Sequence, residues 1–382
     1  MSASEFARVT PYYNHHLKEG AEMYMKGGWV RPIRFKTPEE EALATRRSIG
    51  LIDGHSMGKI RVIGPDARAM MSFAMANDLT RAEVGRGAIY SCLCDENGGI
   101  VDDVVIYALA DQEYFLITNT LSGPRVEKWL LTLAETYGFD AYVMNDTNKT
   151  AYLALQGPNV PELLDRFLPK SYRELKYFEF AHYQWDNVPI LVARTGFTGE
   201  IGYEFCFPSE FGHDLWGRLQ SLGADLGIQS VGGLGVQILR TEKSYRAYTL
   251  DMTQDDTPFE AGLGWSVRLG GHDFVGRAAL EARKAQGVSS KLLGFEVNVP
   301  VSALGQDRDV FDADGNKVGR ITSICDSPAL AKTIAMARID KTAWSQNKFT
   351  VGPATLTAVQ MPFLDPQGTR LKASLVRVAE LA

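Results

Sequence analysis

The chain has 382 residues, 45% of them hydrophobic and 23% charged, with a formal net charge of −6. That length and balance suit two or three folded domains of ~150 residues each and exclude a globally disordered chain. The acidic total excludes broad nucleic-acid binding, which needs a dense positive surface, but leaves room for a local basic pocket that holds an anionic ligand.

The first 26 residues carry Glu, Arg, Lys and His with no apolar signal core, and no run approaches ~18 apolar residues. A cytoplasmic protein that does not span a membrane is the expectation. Thr37-Pro38-Glu39-Glu40 opens the first clear helix: Thr37 caps, Pro38 suits the first helical position and Glu40 completes a capping box. That helix is expected to run to near Gly50. Residues 59–63 read as a strand, and Gly64-Pro65-Asp66-Ala67 turns it into an apolar helix through Met70, Met71 and Phe73. Cys92 and Cys94 are alternate residues of a strand-like stretch, so both point to one face. With Cys206 and Cys325 they make four cysteines, too few for a disulfide framework, and buried thiols are expected rather than a zinc site.

Residues 100–109 and 114–118 read as strands joined by a turn at Ala110-Asp111-Gln112. Residues 152–155 form another strand, leading through Gly157-Pro158 into a helix carrying Leu163, Leu164 and Phe167. The two strand, Gly-Pro, helix units suggest an internal pseudo-repeat. Residues 188–194 and 202–207 make a further strand pair around Thr195-Gly196-Phe197-Thr198-Gly199. Mixed rather than strictly alternating strands and helices favour an α+β fold over a doubly wound sheet. Gly232-Gly233-Leu234-Gly235 lacks the spacing of a dinucleotide fingerprint. Beyond Gln286 come short strands at 292–297, 317–323, 333–339 and 354–359, with a hairpin signal at Asp312-Ala313-Asp314-Gly315-Asn316. They predict a C-terminal β-barrel domain beginning near residue 285.

Certain segments combine in a telling order. Thr10-Pro11-Tyr12-Tyr13 and Gly27-Gly28-Trp29 come first, then Ala88-Ile89-Tyr90-Ser91 and Asn97-Gly98-Gly99-Ile100-Val101-Asp102-Asp103. Leu155-Gln156-Gly157-Pro158, Arg194-Thr195-Gly196-Phe197-Thr198-Gly199-Glu200 and Gly202-Tyr203-Glu204 follow. Leu239-Arg240-Thr241-Glu242-Lys243-Ser244-Tyr245-Arg246, residues 257–263, Ile321-Thr322-Ser323 and Ser327-Pro328 complete the series. In order and spacing, across nearly the whole chain, they resemble the glycine-cleavage T-protein (aminomethyltransferase) superfamily. The resemblance implies a three-lobed cloverleaf around a funnel that holds tetrahydrofolate. Residues 1–50 and 140–230 would form one folate-binding lobe, 51–139 and 231–285 the second, and 286–382 the barrel.

The same resemblance assigns roles. Glu204 matches the pterin-binding glutamate; a carboxylate can accept two parallel donors from the guanidine-like edge of a pterin. Asp103 or its neighbour Asp102 would be the carboxylate beside the reacting nitrogen, able to take up a proton or stabilise developing positive charge. Strand neighbours face opposite sides, so only one of the two is expected in the funnel, and family position favours Asp103. Tyr90 and Tyr245 match tyrosines around the folate, Asn119 matches a segment near the pterin, and Arg240 is available to Glu242 or to the folate tail. No metal ligands are implied.

Departures from the pattern are equally specific. Asp53-Gly54-His55-Ser56-Met57 stands where the family has Asp-Val-Ser-His-Met, leaving His55 as an acid–base group or a structural histidine. Phe197 lacks the hydroxyl of the family's tyrosine, and Val236 stands in place of a basic residue. Residues 240–248 look more like the folate domains of dimethylglycine and sarcosine dehydrogenases. These departures point to a demethylase moving a methyl group from a small N-, O- or S-methyl donor to N5 of tetrahydrofolate. Tyr24, Trp29 and Arg31 would either shape the pocket for that small methylated substrate or pack in the core. The alternatives are an aminomethyltransferase served by a lipoyl carrier protein, and a non-catalytic folate-binding protein, whose Lys-Gly-Cys-Tyr-type motif is missing.

Overall fold

The computed structural model describes residues 7–373. The first long helix, Pro38–Arg47, starts as its sequence dictates: Thr37 accepts from the Glu40 amide while the Glu40 side chain accepts from the Thr37 amide. It ends earlier than expected, because Gly50 belongs to the next strand, Ile49–Asp53, where it pairs with both Gln156 and Gln229. A side chain on Gly50 would strike Thr45 Oγ1 at 2.3 Å, so the glycine marks close helix–strand packing rather than a helix stop.

Ile49–Asp53 lies within a six-stranded sheet, in the order Phe180–Trp185, Val188–Ala193, Gly202–Pro208, Thr150–Gln156, Ile49–Asp53, Ile228–Val231. A five-stranded sheet runs Ala88–Cys94, Ile100–Ala110, Glu113–Thr118, Gly58–Ile63, Tyr142–Asn145. The third lobe is a closed six-stranded barrel of strands between Ser290 and Val359, with the expected hairpin at 312–316. The fold is therefore mixed α+β with a C-terminal barrel. A small sheet of Arg8–Val9, Trp29–Arg34 and Glu22–Lys26 precedes the lobes.

The repeated Gly-Pro units have a shared physical cause. Gly64 (φ 149°) and Gly157 (φ 132°) each follow a strand interior to its sheet, and each passes against backbone. A Cβ at Gly64 would lie 2.5 Å from the Asp140 carbonyl oxygen, and one at Gly157 2.3 Å from that of Ser48. Only glycine tolerates both the dihedral and the contact. The helices beyond are Ala67–Ala74 and Val160–Asp165, so Leu163 and Leu164 are helical while Phe167 lies past the end.

The two sheets meet through apolar inner faces. Tyr107, Phe115 and Ile117 of one pack with Tyr152, Leu191, Ala193 and Cys206 of the other. All four cysteines are buried and free. No helix among the described residues is long and apolar enough to cross a membrane.

Polar side chains close the remaining seams. Arg46, on the first long helix, donates to Glu242 Oε2 at 2.9 and 2.7 Å, to Glu200 Oε1 at 3.0 Å, and to the carbonyls of Thr198 and Leu239. Ser327 of the barrel donates to Glu242 Oε1 at 2.6 Å, and Arg370 to Glu200 Oε1 at 2.6 Å. Removing one member of a buried ion pair leaves a charge without compensation, at a cost of about 3–5 kcal/mol. Arg46→Met is expected to lose about that much stability, read from the urea midpoint and slope; a loss below about 1 kcal/mol would remove the cluster from its structural role.

Candidate functional site

Asp102 and Asp103 lie near the start of the Ile100–Ala110 strand. Opposite them the ladder slips: Leu93 pairs with Asp102 but Cys94 pairs with Ile100, so Val101 is the extra residue of a bulge. A bulge bends the strand and re-aims the side chains beside it. Beyond the bulge the register is regular, with Asp102 opposite Leu93 and Asp103 opposite Cys92. Asn119 reaches both: its side-chain amide donates to Asp102 Oδ1 at 3.0 Å and to Asp103 Oδ1 at 2.8 Å, while its backbone amide donates to Asp102 Oδ2 at 3.0 Å. Tyr90 donates its hydroxyl to Asp103 Oδ2 at 3.0 Å.

The environments of the two acids differ. Asp102 is fully buried, whereas Asp103 retains some accessible surface. Burial, reinforced by the neighbouring charge of Asp103, pushes the Asp102 carboxyl up to about 7. Burial also raises the Asp103 pKa, against the opposing hydrogen bonds from Tyr90 and Asn119. The outer face of Tyr90 is stacked by Trp265, centroids 5.2 Å apart and planes within 19°. Trp265 itself is 59% exposed, so this pair forms the outer wall.

Glu204 sits across the seam on the Gly202–Pro208 strand. Burial raises its pKa, and it accepts hydrogen bonds from the hydroxyls of Thr195 and Tyr152. Around it stand Tyr107 and Tyr177, whose own pKa values burial raises. Tyr177 is hydrogen-bonded to Tyr245, and Tyr245 stacks on Phe197 with centroids 5.7 Å apart. The next residue, Arg246, faces Tyr90 on the other side of the seam. Arg246 donates to the carbonyls of Ser244 and Ala261 at 2.7 and 2.9 Å, and Ser244 takes a left-handed φ of 57° at the turn. Consecutive residues thus link the Glu204 group to the Asp103 group.

The structure brings together Asp102, Asp103, Asn119 and Tyr90 as one group, and Glu204, Tyr245 and Phe197 as another. Arg240 belongs to neither. The pairing with Glu242 is corrected: Glu242 is held by Arg46, and Arg240 bonds to Asp251, to Gln237 Oε1 at 2.8 Å, to the Tyr245 carbonyl at 3.1 Å and to Ser323 Oγ at 2.6 Å. On a helix, Arg240 and Glu242 are two residues apart and point away from each other. Val236 packs in an apolar cluster with Ile238, Leu239 and Cys325. His55 is buried edge-on to Trp29, and burial pushes its pKa down to about 3. Trp265 and Tyr177 escape a reading of the sequence because nothing local distinguishes a wall aromatic from a core one; Thr195, Tyr152 and Arg246 lie within or beside motifs that give them no role.

The chain matches the family described as "GCVT N-terminal domain" over residues 12–271, and "Glycine cleavage T-protein C-terminal barrel domain" over residues 291–365. It is 36% identical to aminomethyltransferases of Bacillus cereus and of Bacillus anthracis, covering 87% of this chain and 89% of each relative. A crystal structure of the glycine cleavage system aminomethyltransferase T from Bartonella henselae superposes with a TM-score of 0.85 at 28% identity, over 94% of this chain and 98% of that one. With its lobes, its barrel and its sequence all accounted for in this way, the chain belongs to the glycine-cleavage T-protein family.

Proposed function

We propose that this protein is a tetrahydrofolate-dependent aminomethyltransferase. The reading is carried by Glu204 and Asp103, two carboxylates of raised pKa on facing lobes, joined through Tyr245 and Arg246. An ionised carboxylate has about four lone-pair positions, so Glu204 keeps acceptor capacity for a pair of ring N–H donors beyond Thr195 and Tyr152. Phe197 and Tyr245 offer flat apolar faces to a bicyclic ring. Tetrahydrofolate supplies, when bound, the nitrogen nucleophile that receives the one-carbon unit. Asp103 then serves at the other end: its carboxylate stabilises positive charge developing on the incoming carbon and takes up a proton. Asn119 and Tyr90 fix its direction, which spares reorganisation during the reaction.

The likeness to aminomethyltransferases over 87% of the chain favours an aminomethyl donor, presented by a lipoyl carrier protein, over the free methyl donor that the departures in sequence suggest. Val236, one of those departures, packs in an apolar cluster, so the charge it lacks is not taken from the group around Asp103. Mass spectrometry of the folate product discriminates. Methylene-tetrahydrofolate formed only with an aminomethyl-lipoyl carrier supports the proposal; methyl-tetrahydrofolate formed from a free methyl donor without carrier sinks it.

Asp103→Asn is expected to lower turnover by about 10²–10⁴ while leaving folate affinity nearly unchanged. Glu204→Gln is expected to weaken tetrahydrofolate binding by about tenfold or more, measured by calorimetry; unaltered affinity would remove Glu204 from the ring-binding role. Asp102 gives a pH signature. Its folded pKa, about 7, lies above the unfolded value near 3.9, so its contribution to stability is complete below that lower value and is lost as pH rises through about 7. Between pH 5 and 8 the urea midpoint of the native protein should therefore fall more steeply than that of Asp102→Asn. Parallel curves would contradict the raised pKa.

A further inference from the structure

The N-terminal sheet carries three cations, Arg8, Lys26 and Arg31, that pair with no carboxylate among the described residues. Arg8, Trp29 and Lys26 lie opposite one another in register, as do Tyr24 and Arg31. Alternation along the strand puts Trp29 and Arg31 on one face. That face turns inward: Trp29 is 3% exposed, with its ring edge-on to His55 at 5.1 Å. Arg8 lies over the Trp29 ring at 4.4 Å and donates to the Gly27 carbonyl at 3.2 Å. Arg31 donates to Thr120 Oγ1 at 3.1 Å, next in sequence to the residue that grips both aspartates. Lys26 is half-buried, and burial, followed by the charge of Arg31, lowers its pKa.

Among the described residues, none of Arg8, Lys26 and Arg31 makes an ion pair, although Arg34 of the same hairpin pairs with Glu22 at 2.8 Å. Like charges gathered in partly desolvated surroundings repel and lose hydration, and an anion between them removes both penalties. In a chain of net charge −6, such a concentration next to Asn119 is built for a negative group. The opposite face of the sheet, bearing Val9, Val30 and Met25, is apolar, so a protein resting on it would meet those side chains rather than the cations.

We propose that Lys26 and Arg31, supported by Arg8, form an anion subsite beside Asn119 that takes a carboxylate of a small ligand. The proposal rests on the reading of Asp103 and Asn119 as the reaction centre. The carboxylate has two available sources, a free one-carbon donor bearing a carboxylate or the glutamate tail of the folate.

Calorimetric titration of the full chain distinguishes them, using acetate, tetrahydropteroyl monoglutamate and tetrahydropteroyl pentaglutamate as probes. Acetate binding marks the donor carboxylate; a preference of about tenfold or more for pentaglutamate over monoglutamate marks the tail. In either case Lys26→Gln/Arg31→Gln should lose the response by about tenfold, and Arg31→Lys, which keeps the charge, should retain most of it. Lys26→Gln alone repeats the test should the double variant fail to fold. Identical responses from native protein and variants, including no response to any carboxylate, overturn the subsite. So does a loss confined to binding of an acidic lipoyl carrier protein. Monoglutamate affinity in Glu204→Gln reports on the folate reading independently, so failure of that reading leaves a different pattern from failure of the subsite.

Discussion

The guanidinium of Arg46 is the constraint on which the assembly of lobes depends. It is a single planar group with its donors fixed in a fork, and it meets Glu242, Glu200 and the carbonyls of Thr198 and Leu239 at once. The partners come from different parts of the chain: the helix Gly233–Glu242, the glycine-rich turn around Thr198, and, through Ser327, the barrel. Burying that charge is tolerable only because both carboxylates and the carbonyls are satisfied together. The geometry around it is consequently narrow. Glycine-rich turn, helix and barrel must all arrive in one arrangement, and that arrangement is also the one that carries Thr195 and Glu204 to one wall of the seam and Tyr245 and Arg246 across it.

A second buried arginine repeats the logic on the helix Gly233–Glu242 itself. Arg240 joins Asp251 and Ser323, and Asp251 in turn accepts from Thr322 and Ser323 of the barrel at 2.6 Å. Motif residues with obvious charge thus divide into two kinds. Arg240, Glu200 and Glu242 hold lobes together through ion pairs, while Asp103 and Glu204 are buried carboxylates with no ion pair among the described residues and hydrogen-bonded instead by Asn119, Tyr90, Thr195 and Tyr152. Burial and partner geometry separate the kinds; residue type does not.

What can be read from the sequence follows the range of the forces involved. The capped start at Thr37, the Gly64-Pro65 and Gly157-Pro158 turns and the barrel hairpin at Asp312–Asn316 are decided within a few residues, so their signals are local. The helix end is misplaced by such signals because Gly50 answers to Thr45 and to a neighbouring strand, neither visible in a local pattern. The partner of Arg240 escapes for the same reason: Asp251 is nearby in sequence, but the turn that returns it to the helix depends on barrel contacts. The bulge is a subtler loss: the extra residue at Val101 shifts the register just before the two aspartates, and no local pattern marks it. The candidate site residues themselves are legible only as motifs; that Asn119 binds both acids, and that Trp265 backs Tyr90, needs the fold.

The interleaving of the two sheets has a consequence for how the molecule must be made. Ile49–Asp53 occupies the interior of its sheet, yet one neighbour is Thr150–Gln156 and the other is Ile228–Val231. The intervening chain has meanwhile supplied every strand of the five-stranded sheet. Loop closure over such separations is slow, and exposed strand edges wait for partners that have not yet been synthesised. During translation the first sheet cannot be completed until residue 231 has left the ribosome, so the nascent chain carries an incompletely paired, apolar strand through almost half of its synthesis. The five-stranded sheet can therefore close first, and no N-terminal fragment shorter than that point contains all strands of the six-stranded sheet.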